Sequence, residues 1–159
     1  MSTTPSSPRM IDPRGQRFGA GLSAVLLALG FAAAQPVVVP LIGLALGVSA
    51  FRGTRWFVLG RPWPLVRRVL RLGPPRELEH ERPPRFAQAL GFAGLALATV
   101  LFAAGVAPGG WLLAGGVGAL QAVLAVTGYC LGCRLYGLRW YAPRLFDRLV
   151  AITARDAAR

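Results

Sequence analysis

The sequence predicts an all-α integral membrane protein, a four-helix bundle made of two helical hairpins with both termini on the cytoplasmic side. Hydrophobic residues make up 54% of the 159 residues and charged residues only 15%, a balance unusual for a soluble domain. The charged residues also fall into three segments. The two uncharged stretches between them, 18–51 and 86–133, are each long enough for two membrane-spanning helices but not for three.

The first hairpin follows a basic N-terminal tail, residues 1–17, whose Ser/Thr/Pro-rich beginning is expected to be disordered. The first predicted span covers residues 18–34 and ends just before Pro36. The second covers residues 37–51 and is short for a bilayer. A cleaved signal peptide is the alternative for the first span, but its apolar run is long and three more spans follow.

A polar connector, residues 52–85, joins the two hairpins. Arginines alternate with Leu and Val at helical spacing over residues 65–72, and Trp56 and Trp63 lie just upstream. This pattern predicts a short helix that either lies in the lipid headgroup layer or packs on the ends of the spans. Three nearby glutamates are interpreted as counter-charges to the arginines.

The second hairpin has predicted spans over residues 86–106 and 111–136, separated by a turn rich in Pro and Gly. Residues 18–137 therefore form a single four-span membrane domain. The basic C-terminal tail, residues 138–159, contains a second amphipathic pattern that predicts another interfacial helix. The pairs Arg17-Phe18 and Arg85-Phe86 open the two hairpins in the same way, which hints at an internal duplication.

All 18 basic residues are arginines, and they lie in the two tails and the connector, whereas the short turns within the hairpins contain none. The positive-inside rule then places both termini in the cytoplasm and the protein in the cytoplasmic (inner) membrane as a multi-pass protein. The net charge of +12 does not predict a nucleic-acid partner, because the arginines flank apolar spans instead of forming a separate polar domain. The expected partner is the lipid bilayer.

Small residues four positions apart predict close helix packing, either within the chain or in a homo-oligomer. These pairs are Gly43 and Gly47, Ala114 and Gly118, and Gly128 and Gly132. Polar residues inside the spans are expected to form hydrogen bonds between helices. These residues are Gln88, Thr99, Gln121 and Thr127.

The only two cysteines form the sequence Cys130-Leu131-Gly132-Cys133, at the predicted cytoplasmic end of the fourth span. At this spacing on a helix two thiols share a face, and such a pair can cycle between dithiol and disulfide or take sulfur from a donor. Nearby arginines could favour a thiolate. Because cytoplasmic thiols are kept reduced, a permanent structural disulfide is not expected. Cys130 and Cys133 are therefore the candidate catalytic residues.

The alternative is that both cysteines are small hydrophobic residues that only pack a membrane helix. A metal site is not predicted, because two cysteines and His80 fall short of four ligands. The spans offer no carboxylate for a proton relay, and no Gly-rich phosphate loop or Ser/His/Asp arrangement is recognisable. Whether the protein is an enzyme stays open.

A resemblance to a known family rests on four segments: Ile11-Asp12-Pro13-Arg14-Gly15, Leu72-Gly73-Pro74-Pro75 with Glu77-Leu78-Glu79, Pro83-Pro84-Arg85-Phe86-Ala87-Gln88, and Cys130-Leu131-Gly132-Cys133. Over residues 11–138 the chain resembles the uncharacterised bacterial membrane family catalogued as domain-of-unknown-function family 4395. The resemblance implies a small four-span protein, sometimes found in the company of thioredoxin-like or rhodanese-like sulfur-transfer proteins.

Two functions follow from these observations. The first is a membrane thiol or sulfur relay, in which one of Cys130 and Cys133 is the nucleophile, the other is the resolving thiol, and the partner is a cytoplasmic thioredoxin-like or rhodanese-like protein. No cofactor is identified. A quinone that exchanges electrons with the cysteines is conceivable, as in other four-span proteins with a C-x-x-C pair. Those proteins usually work on the extracytoplasmic side, whereas the arginine distribution here argues for the opposite face. The second function is a non-enzymatic anchor that recruits a soluble partner, and solute passage between the hairpins is a third.

Overall fold

The computed structural model describes residues 10–75 and 77–141, without the side chains of residues 138–141. Within these residues the chain is mostly helical. It forms two short strands, six α-helices and two 3₁₀ turns, in the order β1 (Met10–Ile11), α1 (Pro13–Ala32), α2 (Val38–Arg52), the 3₁₀ turns Thr54–Trp56 and Val58–Gly60, α3 (Trp63–Val69), β2 (Glu79–His80), α4 (Arg82–Ala103), α5 (Ala107–Thr127) and α6 (Leu131–Tyr141). The all-α class is confirmed.

Of the described helices, three are long and apolar enough to cross a membrane, namely α1, α4 and α5, with 20, 22 and 21 residues. Helix α2 is also apolar but has only 15 residues. Large apolar side chains on the outer faces are exposed, among them Phe31 at 63% and Leu112 and Val126 at 78% each. Water would oppose such exposure over whole helices, so these surfaces are suited to lipid, and the protein has the features of a membrane protein.

The helices pack so that α2 lies against α4, α4 against α5, α5 against α1, and α1 against α2. The core between them contains Val39, Leu46 and Leu95, which are fully buried. A Cβ atom added to Gly47 would lie 2.8 Å from the ring of Phe92, and one added to Gly43 would lie 3.3 Å from the Cβ of Leu95. The first predicted small-residue pair is therefore where α2 approaches α4 closely.

The two other predicted small-residue pairs have different outcomes. Ala114 is buried, and a Cβ at Gly118 would make ordinary contact with Leu27 of α1, so this pair lies where α5 packs on α1. Gly128 and Gly132 do not lie on one helix, because α5 ends at Thr127 and α6 begins at Leu131. The two glycines therefore do not form a pair on one helix face, but Gly132 alone does permit a close approach, because a Cβ there would lie 2.6 Å from the Cβ of Ala87.

The two long hairpins turn in the same way. At the end of α1 the N–H of Gln35 donates to the carbonyl of Gly30 at 2.8 Å, and Ala34 has φ +51°. At the end of α4 the N–H of Val106 donates to the carbonyl of Leu101 at 2.8 Å, and Gly105 has φ +78°. Both turns are closed by the backbone pattern that commonly ends helices with a left-handed residue.

The fourth predicted span, residues 111–136, is not one continuous helix. Helix α5 starts at Ala107, earlier than predicted, and ends at Thr127, and residues 128–130 separate it from α6. Polar residues predicted to bond between helices also behave differently. The hydroxyls of Thr99 and Thr127 donate to carbonyls one turn back in their own helices, at 2.8 and 2.7 Å.

The connector does contain the predicted short helix, α3, which packs on the beginning of α1. The indole N–H of Trp63 donates to Asp12 at 3.1 Å, and the rings of Trp63 and Phe18 lie 5.8 Å apart. Leu65 and Val69 remain exposed on the other side. Helix α3 thus contacts the start of α1 with one face, and its opposite face presents exposed apolar side chains. The second predicted interfacial helix, in residues 138–159, lies largely outside the described residues.

Reciprocal contacts relate the two halves of the chain. Strands β1 and β2 pair antiparallel with Ile11 opposite Glu79, and these two residues are as far apart in sequence as Arg17 and Arg85. Arg17 at the start of α1 donates to the last carbonyls of α5, and Arg85 at the start of α4 donates to the last carbonyls of α2. This exchange is what two copies of one hairpin unit related by a twofold axis would produce, and it supports the predicted duplication.

Candidate functional site

The cysteine motif begins where α5 stops. Gly128 has φ +74°, a left-handed conformation that glycine adopts readily, and its N–H donates to the carbonyl of Leu124 at 2.9 Å. The N–H of Tyr129 donates to the hydroxyl of Thr127 at 3.0 Å. Arg17 binds the carbonyls of α5 that have no helical partner. The break is therefore well supported by hydrogen bonds, and it directs residue 130 away from the axis of α5.

Cys130 is the N-cap residue of α6. The backbone N–H of Cys133 donates to the sulfur of Cys130 at 3.2 Å, and the N–H of Arg134 donates to its carbonyl at 3.0 Å. The Sγ atoms of Cys130 and Cys133 are bonded to each other, with their Cα atoms 5.1 Å apart. The sequence correctly predicted that the two thiols are neighbours. It placed them in the last turns of a span, whereas the structure places them at the N-terminus of a separate helix.

This position has a chemical consequence. The first N–H groups of a helix lack partners within it and point outward, and together with the helix dipole they stabilise negative charge. A cysteine at a helix N-terminus is accordingly stabilised as a thiolate when the disulfide is reduced. Both cysteines are half-buried, so the bond is neither sealed in the core nor fully open. Such an arrangement suits a reversible disulfide.

Helix α6 is fixed against α4 by a glycine between the cysteines. A Cβ added to Gly132 would lie 2.6 Å from the Cβ of Ala87 and 2.8 Å from its Cα, so no side chain fits there. One turn further along, the rings of Phe86 and Tyr136 lie 5.7 Å apart. The glycine of the motif thus permits the close approach that brings both sulfurs next to the start of α4.

Two arginines, Arg134 and Arg139, follow the cysteines in the sequence, and their predicted influence on a thiolate stays a prediction. Arg134 places its guanidinium 5.4 Å from the centre of the Tyr129 ring, which adjoins Cys130. This cation-π contact orients the charge beside the motif. Arg139 follows on α6, with its side chain among those that the structure does not describe.

A cavity of about 1020 Å³ opens beside the cysteines. It lies between the first turns of α1, the first half of α4, the second half of α5 and the start of α6, and both cysteines line it. Its deeper wall is apolar, formed by Leu46, Val117, Leu120 and Leu124. Its size and mixed lining are those of a small-molecule site.

Three glutamines contribute amide groups to the cavity: Gln16, Gln88 and Gln121. Gln88 is only 6% exposed, and its amide nitrogen donates to the side-chain oxygen of Gln16 at 3.0 Å. Its own oxygen, Oε1, is buried and has no hydrogen-bond partner among the residues that the structure describes. The sequence identified Gln88 and Gln121 as polar residues inside spans but assigned them to helix packing, and it gave no sign that Gln16 would join them.

The charged groups at the mouth of the cavity are largely engaged in structure. Arg14 donates to the carbonyl of Gly73 at 3.3 Å, and Arg17 holds the end of α5. Glu77, Glu79 and His80 also line the mouth. The cavity therefore offers an apolar interior with an amide oxygen. Two of its lining arginines, Arg14 and Arg17, already have acceptors, and the third, Arg134, lies over the ring of Tyr129.

No curated protein and no solved structure matches the chain. A family described as a domain of unknown function, DUF4395, matches residues 11–140. This range contains the cysteine motif and the described elements except Met10 of β1 and Tyr141 of α6, in agreement with the resemblance found in the sequence. The protein is therefore a member of the DUF4395 family.

Proposed function

We propose that this protein is a thiol-redox or sulfur-relay component of the bacterial cytoplasmic membrane and that Cys130 and Cys133 carry the exchange. The carrying observation is the position of the bonded pair, half-buried at the N-terminus of α6 and facing a cavity. A pair that only packed a helix would have no need of a helix N-terminus. In a reducing compartment, a disulfide of this kind is transient and catalytic.

The exchange follows the usual chemistry of thiols. A thiolate of the partner attacks one sulfur of the Cys130–Cys133 bond, a mixed disulfide forms, and the other cysteine leaves as a thiolate. A second thiol of the partner then breaks the mixed disulfide, so the partner is oxidised and the protein is reduced. Cys130 is assigned as the nucleophile of the reverse reaction, because its sulfur accepts the N–H of Cys133.

The proposed architecture around this pair is a bundle of four spans, with α2 as a short fourth span beside α1, α4 and α5. Both termini and the connector face the cytoplasm, in accordance with the arginine distribution. The cysteines then lie at the cytoplasmic end of the bundle. A cytoplasmic thioredoxin-like or rhodanese-like protein is the partner that this placement favours.

The redox state of the two cysteines in cells tests the proposal. Acid quenching followed by a maleimide gel shift should show two populations, whose ratio changes reversibly with an oxidant or thiosulfate. The single variants Cys130→Ser and Cys133→Ser should abolish the change and identify the shifted bands. Thiols that stay in one state under all of these conditions would refute the redox and sulfur-relay function.

A second candidate function is supported by the surface of the connector. Arg52, Arg55 and Arg61 are exposed there, beside the exposed apolar residues Leu65 and Val69. Such a surface can hold a soluble protein at the membrane without chemistry. The double variant Cys130→Ser with Cys133→Ser separates the two functions, because an anchor would still retain its partner in membrane fractions whereas a relay would lose its exchange activity.

A further inference from the structure

We infer that the cavity beside the cysteines binds a lipophilic para-quinone, which exchanges two electrons with the Cys130–Cys133 pair. This inference rests on the proposed redox function and names the electron acceptor that it needs. It is carried by three observations about the same cavity: its apolar depth, its buried amide oxygen without a partner, and the disulfide in its wall.

The shape and lining of the cavity fit an apolar ring with an isoprenoid tail. The volume, about 1020 Å³, is at the upper end of that of small-molecule sites. Leu46, Val117 and Leu120 offer hydrocarbon surface, and Leu120 is 51% exposed. An apolar molecule therefore finds apolar side chains along this wall of the cavity.

Gln88 gives the site its chemical preference. A buried carbonyl oxygen that lacks a donor is costly, and a ligand that donates to it recovers that cost. The amide nitrogen of Gln88 is already bound to Gln16, so Oε1 is the free atom. The hydroxyl of a hydroquinone is such a donor, whereas the tail of a lipid is not.

The charged side chains of the lining do not favour a small anion such as thiosulfate as the occupant. Of the three lining arginines, Arg14 and Arg17 donate to backbone carbonyls and Arg134 lies over the ring of Tyr129. Glu77 and Glu79 add two carboxylates, which oppose an anion. An uncharged ring meets no such opposition.

The reaction balances. Two S–H bonds of the dithiol break, one S–S bond forms between Cys130 and Cys133, and the two electrons and two protons pass to the two oxygens of the quinone. The products are the disulfide and a hydroquinone, whose O–H then donates to Gln88. Placement of the cysteines toward the cytoplasm is compatible with this step, because a quinone dissolves in both leaflets and the cavity reaches inward to Leu46.

The cysteines and Gln88 belong to the same end of the cavity. Gly132, between the two cysteines, lies against Ala87, the residue before Gln88 on α4. A quinone ring seated against Gln88 is therefore beside the first turn of α6. Substitution of Gln88 should weaken the ring's hold without removing the redox pair.

Binding can be tested separately from electron transfer. In nanodiscs, the variant Cys130→Ser with Cys133→Ser should bind ubiquinone-1 as the intact protein does, measured by titration calorimetry. Adding Gln88→Leu should weaken binding of the hydroquinone by about tenfold, as expected for one lost hydrogen bond. The matched control Gln35→Leu changes an exposed glutamine at the opposite turn and should leave binding unchanged.

Electron transfer has its own readout. After removal of excess reductant, the reduced protein should convert one molecule of ubiquinone-1 to the hydroquinone for each pair of thiols that is oxidised. The ultraviolet absorbance of the quinone measures this conversion. If the cysteines cycle in cells but the quinone neither binds nor oxidises them, the quinone site is wrong and the redox function stands. If dodecanol binds as tightly as the quinone and Gln88→Leu affects neither, the cavity is an acyl-chain site and the inference is also overturned.

Discussion

Gly132 is the residue at which the cysteine motif approaches the rest of the bundle most closely. A methyl group there would overlap both the Cβ and the Cα of Ala87. Backbone atoms cannot rotate away as a side chain can, so α6 would have to move as a unit. The second position between the cysteines is therefore determined by packing, and the geometry of the sulfurs depends on it.

We expect Gly132→Ala to destabilise the protein by about 1–3 kcal/mol, the usual cost of overpacking, and to slow formation of the disulfide. Thermal unfolding in detergent measures the first effect, and oxidation of the reduced protein measures the second. Gly137→Ala is the matched control on the same helix, because a Cβ there has no atom of the described residues within 4 Å. Equal behaviour of the two variants would contradict the close packing of α6 on α4.

At the scale of elements, the arginine that opens each hairpin holds the C-terminus of a helix in the other. Arg17 donates to Ala125 and Val126 at 3.1 and 3.0 Å, and Arg85 donates to Ala50 and Phe51 at 2.9 and 3.0 Å. Cations at helix C-termini are favourable because they meet the free carbonyls and the negative end of the dipole. These contacts close the bundle at the end that contains the cysteines.

Substituting either arginine by glutamine should lower the free energy of unfolding by about 1–3 kcal/mol, the range for hydrogen bonds to charged groups. Arg17→Gln should in addition loosen the residues around Gly128 and raise the reactivity of both cysteines toward maleimide. Arg85→Gln should not affect the cysteines in this way. The control is Arg52→Gln, an exposed side chain on the described surface. If Arg52→Gln destabilised the protein as much, net charge and not capping would be responsible.

The sequence predicts a helix well where the length of an apolar run sets its ends. It predicts a helix less well where the backbone conformation of single residues sets its ends. The uncharged runs of the sequence predicted the three long apolar helices, the short helix α2 and the turn within each hairpin. The break at Gly128 was missed because apolar residues continue through it, and a glycine in an apolar run is equally typical of close helix packing. Its φ of +74° and the bond from Tyr129 to Thr127 depend on the fold.

The candidate site was predictable in its reactive atoms and not in its surroundings. The spacing of the two cysteines predicts that their sulfur atoms lie close together, and this proximity is confirmed. The cavity is different, because it combines residues distant in sequence such as Gln16, Gln88 and Gln121. No local pattern relates these positions, and only the packing of α1, α4 and α5 brings them together.

At the scale of the whole molecule, the arrangement of charge and apolar surface gives a definite topology to test. The turns near Gln35 and Pro108 should face the outside of the cell, and the connector near Gly73 should face the cytoplasm. Single cysteines at these three positions, introduced into the variant that lacks Cys130 and Cys133, report the side. A membrane-impermeant maleimide added to intact cells should label the first two positions and not the third. Labelling at Gly73 in intact cells would reverse the proposed orientation.

The exchange of arginines between the hairpins also has a consequence for synthesis. Helices α1 and α2 leave the ribosome first, and at that moment the carbonyls that Arg17 binds have not been made. Arg85, in contrast, emerges when the end of α2 already exists. Arg17 of the first hairpin thus has no helix end to bind until α5 has been synthesised. We therefore expect the helices to assemble in the order of synthesis. Helix α6, which carries Cys133 and packs on α4, would then dock last.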